Sequence, residues 1–496
     1  MVHAGWGDPA RRKGLPESAV SWLSGRVGRG TPSTPAPVAD LPAPRLTAQQ
    51  LAALRATGAE VDVSDEARIS RAAGRSYLDL LALRSGTFAV PDAVVRPAAD
   101  QVGAVLRCGV AVVPFGGGTS VVGGVAPLGA PVVALDLCRL DRLLSLSEED
   151  RTAVLEPGLT GPATEALLNA RGWTLGHFPQ SFEHATIGGF AATRSAGQAS
   201  TGYGRFDALV VAMTVETPAG PLSLGGPPSA AGPSLLQLFL GSEGAFGVIT
   251  SVTVRIKPVP AVRRYDAVLV SSWEEGIRQL RELEQSGVVP DVARLSDVEE
   301  TATSLRLSAP KAVRLLARGR CLLILGWEGS TASVKRRRVR ARGIPLPGAG
   351  DKWEHGRYDG PYLRDDLMDA GFLVETLETS APWSSLTTVW AAVRRALTDA
   401  LGDCVVMCHV SHLYPHGASL YFTVLASSGR AWPPAKEAAT NALVATGATI
   451  THHHAVGTDH APWMTAEVGD LGVDVLRAVK GVVDPSGILN PGKLIP

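Results

Sequence analysis

The segment THHHAVG, residues 451–457, places three adjacent imidazoles near one end of a 496-residue chain. Histidines in a row can bind a metal, transfer protons, or sit on a surface. On a strand His452 and His454 share one face and His453 takes the other. On a helix successive residues are about 100° apart, so three in a row again diverge. No HExxH pattern and no cysteine or carboxylate cluster lies close by in sequence, so no metal is expected from the triplet. A neutral imidazole is suited to passing protons near pH 7, and a positioned acid or base contributes about 10²–10⁴ in rate. Proton transfer by His453 and His454, with a structural hydrogen bond for His452, is the expectation.

Three further side chains could act with them. Tyr421, in LYFT, offers a phenol on a strand, although such a tyrosine commonly packs in a core with its hydroxyl tethered. Arg364 in PYLRDDL and Arg294 in ARLSD could each hold a phosphate or carboxylate with two parallel hydrogen bonds. Neighbouring Asp365, Asp366 and Asp297 allow plain salt bridging for both arginines.

Three glycine-rich stretches suggest backbone drawn close to a ligand. PFGGGTSVVGG contributes Pro114, Gly116, Gly117, Gly118, Thr119, Ser120 and Gly123. PQSFEHATIGGFAATRSAG contributes Pro179, Ser181, Thr186, Gly188, Gly189, Thr193, Ser195 and Gly197. LGSEGAFGVIT contributes Glu243, Gly244, Gly247, Val248 and Ile249. No GxxxxGK[ST] is present, and the first loop runs into VVGGV, poor material for the helix that a dinucleotide GxGxxG must open. Three such loops in one α/β region fit a long nucleotide cofactor better than three unrelated turns. His177, Glu183 and Arg194 flank the second loop, as structural hydrogen-bonding groups or as cofactor-orienting ones.

The elements that must hold these residues can be traced by periodicity. Residues 25–44 are rich in Pro, Gly and Ala and predict an extended arm. A βαβ unit follows: a strand ending at 94–96, a helix over 98–108 and a strand over 110–113 that leads into the first glycine loop. Strands are expected at 132–137, 152–155, 209–217 and 247–256, with a helix at 161–171. From about residue 262 the rhythm restarts: strands at 265–271, 321–329, 404–411 and 419–426, and helices at 273–287, 385–401 and 434–447. This predicts an antiparallel sheet with helices on one face. The expected organisation is an arm and helical segment (1–85), a cofactor domain (86–262), a substrate-binding cap (263–450) and a terminal segment that returns to the cofactor domain with the triplet (451–496).

Bulk properties exclude several partners. Basic and acidic residues balance at 47 each, so no nucleic-acid partner is expected, and the run KRRRVRAR (335–342) reads as a solvated helix face or loop. Five scattered cysteines form no disulfide pattern, which predicts a reducing, cytoplasmic setting. No stretch reads as a secretory leader or a membrane span, and KLIP is not a peroxisomal address. Peripheral membrane contact and a homodimer stay open.

PFGGGTS, SFEHATIGGF, GSEGAFGVIT and VDPSGILNPGKL together resemble the FAD-binding superfamily of vanillyl-alcohol oxidase and para-cresol methylhydroxylase. ARLSD, PYLRDDL, ETSAPW, LYFT, HHHAVG and an opening GWG are similar, in order, to the alkyldihydroxyacetonephosphate (alkylglycerone-phosphate) synthase family. The resemblance implies an α+β protein: a two-subdomain PCMH-type FAD-binding domain plus a cap with an antiparallel sheet. It implies non-covalent FAD, because Thr119 stands where relatives that attach the flavin carry histidine. It implies exchange of the acyl group of acyl-dihydroxyacetone phosphate for a fatty alcohol without net redox change, the dihydroxyacetone-phosphate carbon being held covalently on flavin N5 between the two half-reactions. His453, His454, Tyr421 and Arg364 then become catalytic candidates, and Arg294, Arg364 and His452 substrate-binding ones. Two stretches depart from the family: the segment between ARLSD and CLLILGWEG is shorter, and TDHAPW replaces basic residues after the triplet. A D-2-hydroxy-acid dehydrogenase or oxidase and a flavin-free binding protein are the alternative readings.

Overall fold

The computed structural model describes residues 2–38, 40–129 and 131–496. Its first sheet has the order Glu60–Asp62, Ala93–Arg96, Val132–Asp136, Ala111–Phe115, with the last three strands parallel. The Ala93–Arg96 and Val132–Asp136 strands are buried on both faces, as near-continuous Val and Leu runs require of parallel strands. The helix between Ala93–Arg96 and Ala111–Phe115 is short, a 3₁₀ turn Ala99–Gln101 running into Val102–Leu106. A second, antiparallel sheet runs Leu143–Ser147, Thr152–Leu155, Val248–Arg255, Val210–Thr217, Gly220–Gly225.

The third sheet is antiparallel throughout, in the order Ile344–Pro345, Val262–Val270, Cys321–Gly329, Val292–Ser296, Cys404–Tyr414, Gly417–Ser427, Phe372–Pro382. Alternation along each strand gives it two distinct faces. Val268, Leu323, Leu295, Val406, Cys408, Val410, Phe422 and Leu373 bury against helices Trp273–Gln285, Leu386–Leu401 and Trp432–Ala445. Truncating one of the fully buried leucines there, such as Leu397, is expected to cost about 2–5 kcal/mol. Helix Trp273–Gln285 starts where Ser272 caps the Glu275 amide and two acidic residues occupy the first turn. Strand Phe372–Pro382, which contains ETS of the ETSAPW motif, was not expected from periodicity; it is buried on both faces and shows no apolar–polar alternation.

The N-terminal arm wraps the molecule. Beyond helix Glu17–Val27 it hydrogen-bonds along its path, with Gly30 N donating to Gly371 O (3.0 Å) and Ala36 N to Arg84 O (2.8 Å). The Trp6 amide donates to the Asp365 carboxylate at 2.6 Å. Within the basic run, Arg337, Arg338 and Arg342 pair with Asp291, Asp266 and Glu282. The terminal segment inserts beside the first sheet, where Val112 exchanges backbone hydrogen bonds with Ile488 O and Asn490 N, both at 2.8 Å. No helix among the described residues is long and apolar enough to cross a membrane.

Candidate active site

The first glycine loop leaves strand Ala111–Phe115 and packs directly on the second. A Cβ on Gly116 would be driven into the Thr186 hydroxyl, and one on Gly117 into the His184 carbonyl oxygen. Gly244, at φ +76°, brings the third loop against Pro114. The glycines therefore bring the loops together as much as they open them to a ligand. Hydroxyls fix what remains: Ser120 Oγ accepts from Gly124 N (2.9 Å), Thr186 Oγ1 from Gly189 N (3.3 Å), and Thr193 donates to Gly189 O (2.9 Å).

These loops wall one end of a cavity of about 1340 Å³. Pro114, Gly116, Gly117, Gly118, Thr119, Ser120, Pro179, Ser181, Thr186, Gly188, Gly189, Thr193, Ser195, Glu243, Gly244, Gly247 and Ile249 all line it. Three of the expected cofactor residues do not. Gly123 packs on Thr458, Gly197 on Phe178, and Val248 lies in the core of the first sheet. The space exceeds the ~300–1,000 Å³ of an ordinary small-molecule pocket. Backbone drawn close by glycine, with hydroxyl donors beside it, fits an extended dinucleotide such as FAD. His177 is buried with Nε2 on the Ser195 hydroxyl (3.0 Å), Arg194 holds Leu240 O and Asp207, and Glu183 pairs with Arg11. All three make structural hydrogen bonds or ion pairs.

The third loop also anchors the terminal segment. Glu243, at φ +53°, accepts the Val456 and Gly457 amides at 2.8 and 2.9 Å. Burial pushes its carboxyl up to about 7.

The far end of the same cavity is the open face of the third sheet. Directly paired residues face the same side, so Ser296, His409, Tyr421 and Glu378 form one row across four strands, and Arg294, Ser411, Ser419 and Ser380 the next. His409 lies parallel to Tyr421, with centroids 5.1 Å apart. The Arg294 guanidinium is held by Glu300 and by His409 Nδ1 (3.1 Å), and His409 Nδ1 lies 3.1 Å from the other Glu300 oxygen.

Residues 452–454 are in neither helix nor strand, and Glu378 determines their shape. Its carboxylate accepts the amides of His452 (2.6 Å), His453 (3.1 Å) and His454 (2.8 Å) and the Thr451 hydroxyl (2.7 Å). Burial opposes this charge, but the three imidazoles and Thr451 outweigh it and hold the carboxyl well below its ordinary range. Glu378, His452 and His453 present atoms within 4.8 Å of one another, as a metal site would. The carboxylate is, however, already occupied by four donors, and His452 Nε2 lies 2.6 Å from the Tyr414 hydroxyl. The cluster is built as a hydrogen-bond hub.

That hub turns His453 toward the cavity, where its ring meets the Tyr421 hydroxyl. Burial pushes His453 down to about 3, so it is neutral at physiological pH. His454 also lines the cavity, 3.7 Å from Glu378, whereas His452 does not. Arg364 lines it too. Its Nη1 donates to Arg75 O (2.5 Å), and Nε and Nη2 are buried without a hydrogen-bond partner.

Glu378, Glu300, His409, His412 and Tyr414 were not foreseen. ETSAPW and the cross-strand pairing of LYFT were visible signals, but the register that sets Tyr421 between His409 and Glu378 exists only in the folded sheet.

Residues 91–223 match the model of an FAD binding domain, and residues 259–494 that of the FAD linked oxidases, C-terminal domain. The chain is 31% identical over 474 residues to an alkyldihydroxyacetonephosphate synthase of Trypanosoma brucei brucei, covering 87% of this chain and 77% of that protein. A solved alkyldihydroxyacetonephosphate synthase superposes with a TM-score of 0.84 at 26% identity, over 100% of this chain and 99% of that one. A solved p-cresol methylhydroxylase with substrate bound superposes at 0.69 and 16% identity, over 93% and 98%, a likeness of fold alone.

Proposed function

The chain belongs to the alkyldihydroxyacetonephosphate synthase family of FAD-dependent enzymes, and on that premise we propose that it exchanges the acyl group of acyl-dihydroxyacetone phosphate for a fatty alcohol. One carbon–oxygen bond to the departing carboxylate breaks and one to the alcohol forms on the same carbon, so no electron acceptor is consumed. Bound FAD supplies the reactive ring nitrogen of that exchange, and Thr119 offers no imidazole for covalent attachment.

The observation that carries the residue assignment is the Tyr421–His453 pair, held at the cavity by Glu378. His453, neutral and hydrogen-bonded to a phenol, takes or returns a proton through Tyr421 as the carboxylate leaves and the alcohol enters. His454 beside it is the second proton carrier, and His452, tied to Tyr414, keeps the segment in place. Arg364 clamps the phosphate with the Nε and Nη2 that meet no hydrogen-bond acceptor in the protein, Nε lying 3.9 Å from the Asp365 carboxylate. Arg294 is paired with Glu300 through Nη2, so its part is to orient His409 and Tyr421 and to bind substrate through what remains of its fork.

The substrate tails find apolar wall in the same cavity, at Leu305, Val313, Leu346 and Trp353 and at Trp22, Leu363, Leu367 and Met407. Leu471, Val475 and Val482 are exposed on the terminal helix Met464–Val483, and are the surface we assign to peripheral membrane contact or to pairing with a second copy.

The test is anaerobic incubation of FAD-loaded protein with acyl-dihydroxyacetone phosphate and a fatty alcohol, read by mass spectrometry. Ether product and free fatty acid in equal amounts are expected without any acceptor. Absence of exchange, with dye reduction by a 2-hydroxy acid, would establish a dehydrogenase instead. A colourless protein that takes up no FAD would leave a binding role.

A further inference from the structure

One buried side chain at the reaction end of the cavity is held in a backbone conformation its residue type rarely adopts. His412 has φ +49° and is 4% exposed. It lies at a break in the hairpin register, where Ser411 pairs with Ser419 but Leu413 already pairs with Ala418. On an unbroken strand, residue 412 would follow Val406, Cys408 and Val410 into the core beneath the helices. The bulge instead returns Leu413 to that core and leaves His412 lining the cavity. A position needed only for packing would be filled by a hydrocarbon on a regular strand, without left-handed strain.

His412 is set among the reacting groups. It stacks on His452 at 5.3 Å and stands edge-on to Tyr421 at 5.7 Å and to His453 at 6.1 Å. Its Nδ1 is buried with no hydrogen-bond partner. Burial and the imidazoles around it keep its pKa well below the ordinary value, so the ring is neutral. With Nδ1 sealed off, a neutral ring best carries its proton on Nε2, where the cavity can supply an acceptor.

We propose that His412 is a hydrogen-bond donor, through Nε2–H, to the ketone oxygen of the substrate. The inference rests on the synthase reading above. When the proton on the carbon beside the ketone passes to the Tyr421–His453 pair, the C–H bonding electrons delocalise toward the ketone oxygen. The His412 N–H meets the charge that grows there. A neutral donor fits this task because its N–H is far less acidic than that of an imidazolium, so it stabilises the developing charge while the proton stays on nitrogen. No oxidant or reductant enters the step.

Two substitutions separate this role from packing. His412→Leu removes the donor, whereas His412→Gln returns an N–H close to the Nε2 position. The measurement is deuterium uptake into acyl-dihydroxyacetone phosphate in D₂O with the alcohol omitted, beside kcat and KM for the full exchange. Loss of one such donor predicts a fall of about 10²–10³ in both uptake and kcat for His412→Leu, with KM within about threefold and at least about tenfold recovery in His412→Gln. FAD content and cooperative melting report folding. Should His412→Leu fail to hold FAD, His412→Asn, which tolerates positive φ but falls short of the Nε2 position, takes its place in the comparison. Deuterium uptake within about twofold of native, or no advantage of Gln over Leu, would overturn the proposal. Native protein that catalyses no exchange would overturn the synthase reading, and this inference with it.

Discussion

The Glu378 carboxylate accepts the backbone N–H of His452 at 2.6 Å, and through this bond and three others it gives the histidine segment its shape. A buried carboxylate is an expensive group to place, and it is stable here because both oxygens are hydrogen-bonded, Oε1 to three donors and Oε2 to the His452 amide. It turns three divergent imidazoles into an ordered set.

Glu378→Gln should therefore act on both stability and rate. An amide cannot accept four hydrogen bonds and adds an N–H facing other donors, at a cost of about 2–5 kcal/mol. Thermal melting of native and variant protein measures this. Because the folded carboxyl lies well below its ordinary value, its contribution is complete above that value and is lost as pH falls through and beneath it. The gap between native and Glu378→Gln melting temperatures should shrink on acidification, and an unchanged gap would contradict the hub.

Tyr421→Phe removes one oxygen and keeps the ring stacked on His409. We expect kcat to fall about 10²–10⁴-fold with FAD content unaltered. Steady-state exchange assays and the flavin spectrum decide it; a mere twofold loss would remove Tyr421 from proton transfer.

Arg364→Lys retains charge but cannot offer Nε and Nη2 together. The expected loss is about 1.5–3 kcal/mol of substrate binding, a rise of roughly 10–100-fold in KM for the phosphorylated substrate. Isothermal titration with inorganic phosphate gives a second readout, and equal phosphate affinity in the two proteins would argue against the clamp.

Glu243 yields a pH prediction of opposite sign. Burial raises its folded pKa to about 7 from 4.5, so between those values the folded state holds a proton that the unfolded chain has lost. Its contribution is complete below pH 4.5 and declines as pH rises through 7, by about 3 kcal/mol. Glu243→Gln should flatten that decline in urea titrations of flavin-free protein; parallel curves would show that the carboxyl is ionised throughout.

Local rules suffice for much of this protein. The strand over 321–329 and the helix beginning at Leu386 follow from periodicity, and the helix edge at Trp273 from capping by Ser272, all of which depend on neighbours a few residues away. The glycine loops announced a nucleotide site for the same reason, since left-handed turns and close approach are written in residue type. Tyr421, Arg364 and the triplet could be named from motif resemblance, and the fold gathers Tyr421, Arg364, His453 and His454 around one cavity. What the chain order concealed was long-range pairing. Glu378 lies some seventy residues before the amides it holds, and His409 meets Tyr421 only through hairpin register. The bulge that turns His412 to the cavity depends on that register as well, because a break of one residue has no signature until two strands are aligned. The sequence alone thus determined most of the element types, the glycine loops and the chemistry on offer. The tertiary structure decided which polar groups face one another, since sheet pairing joins residues that no local preference connects.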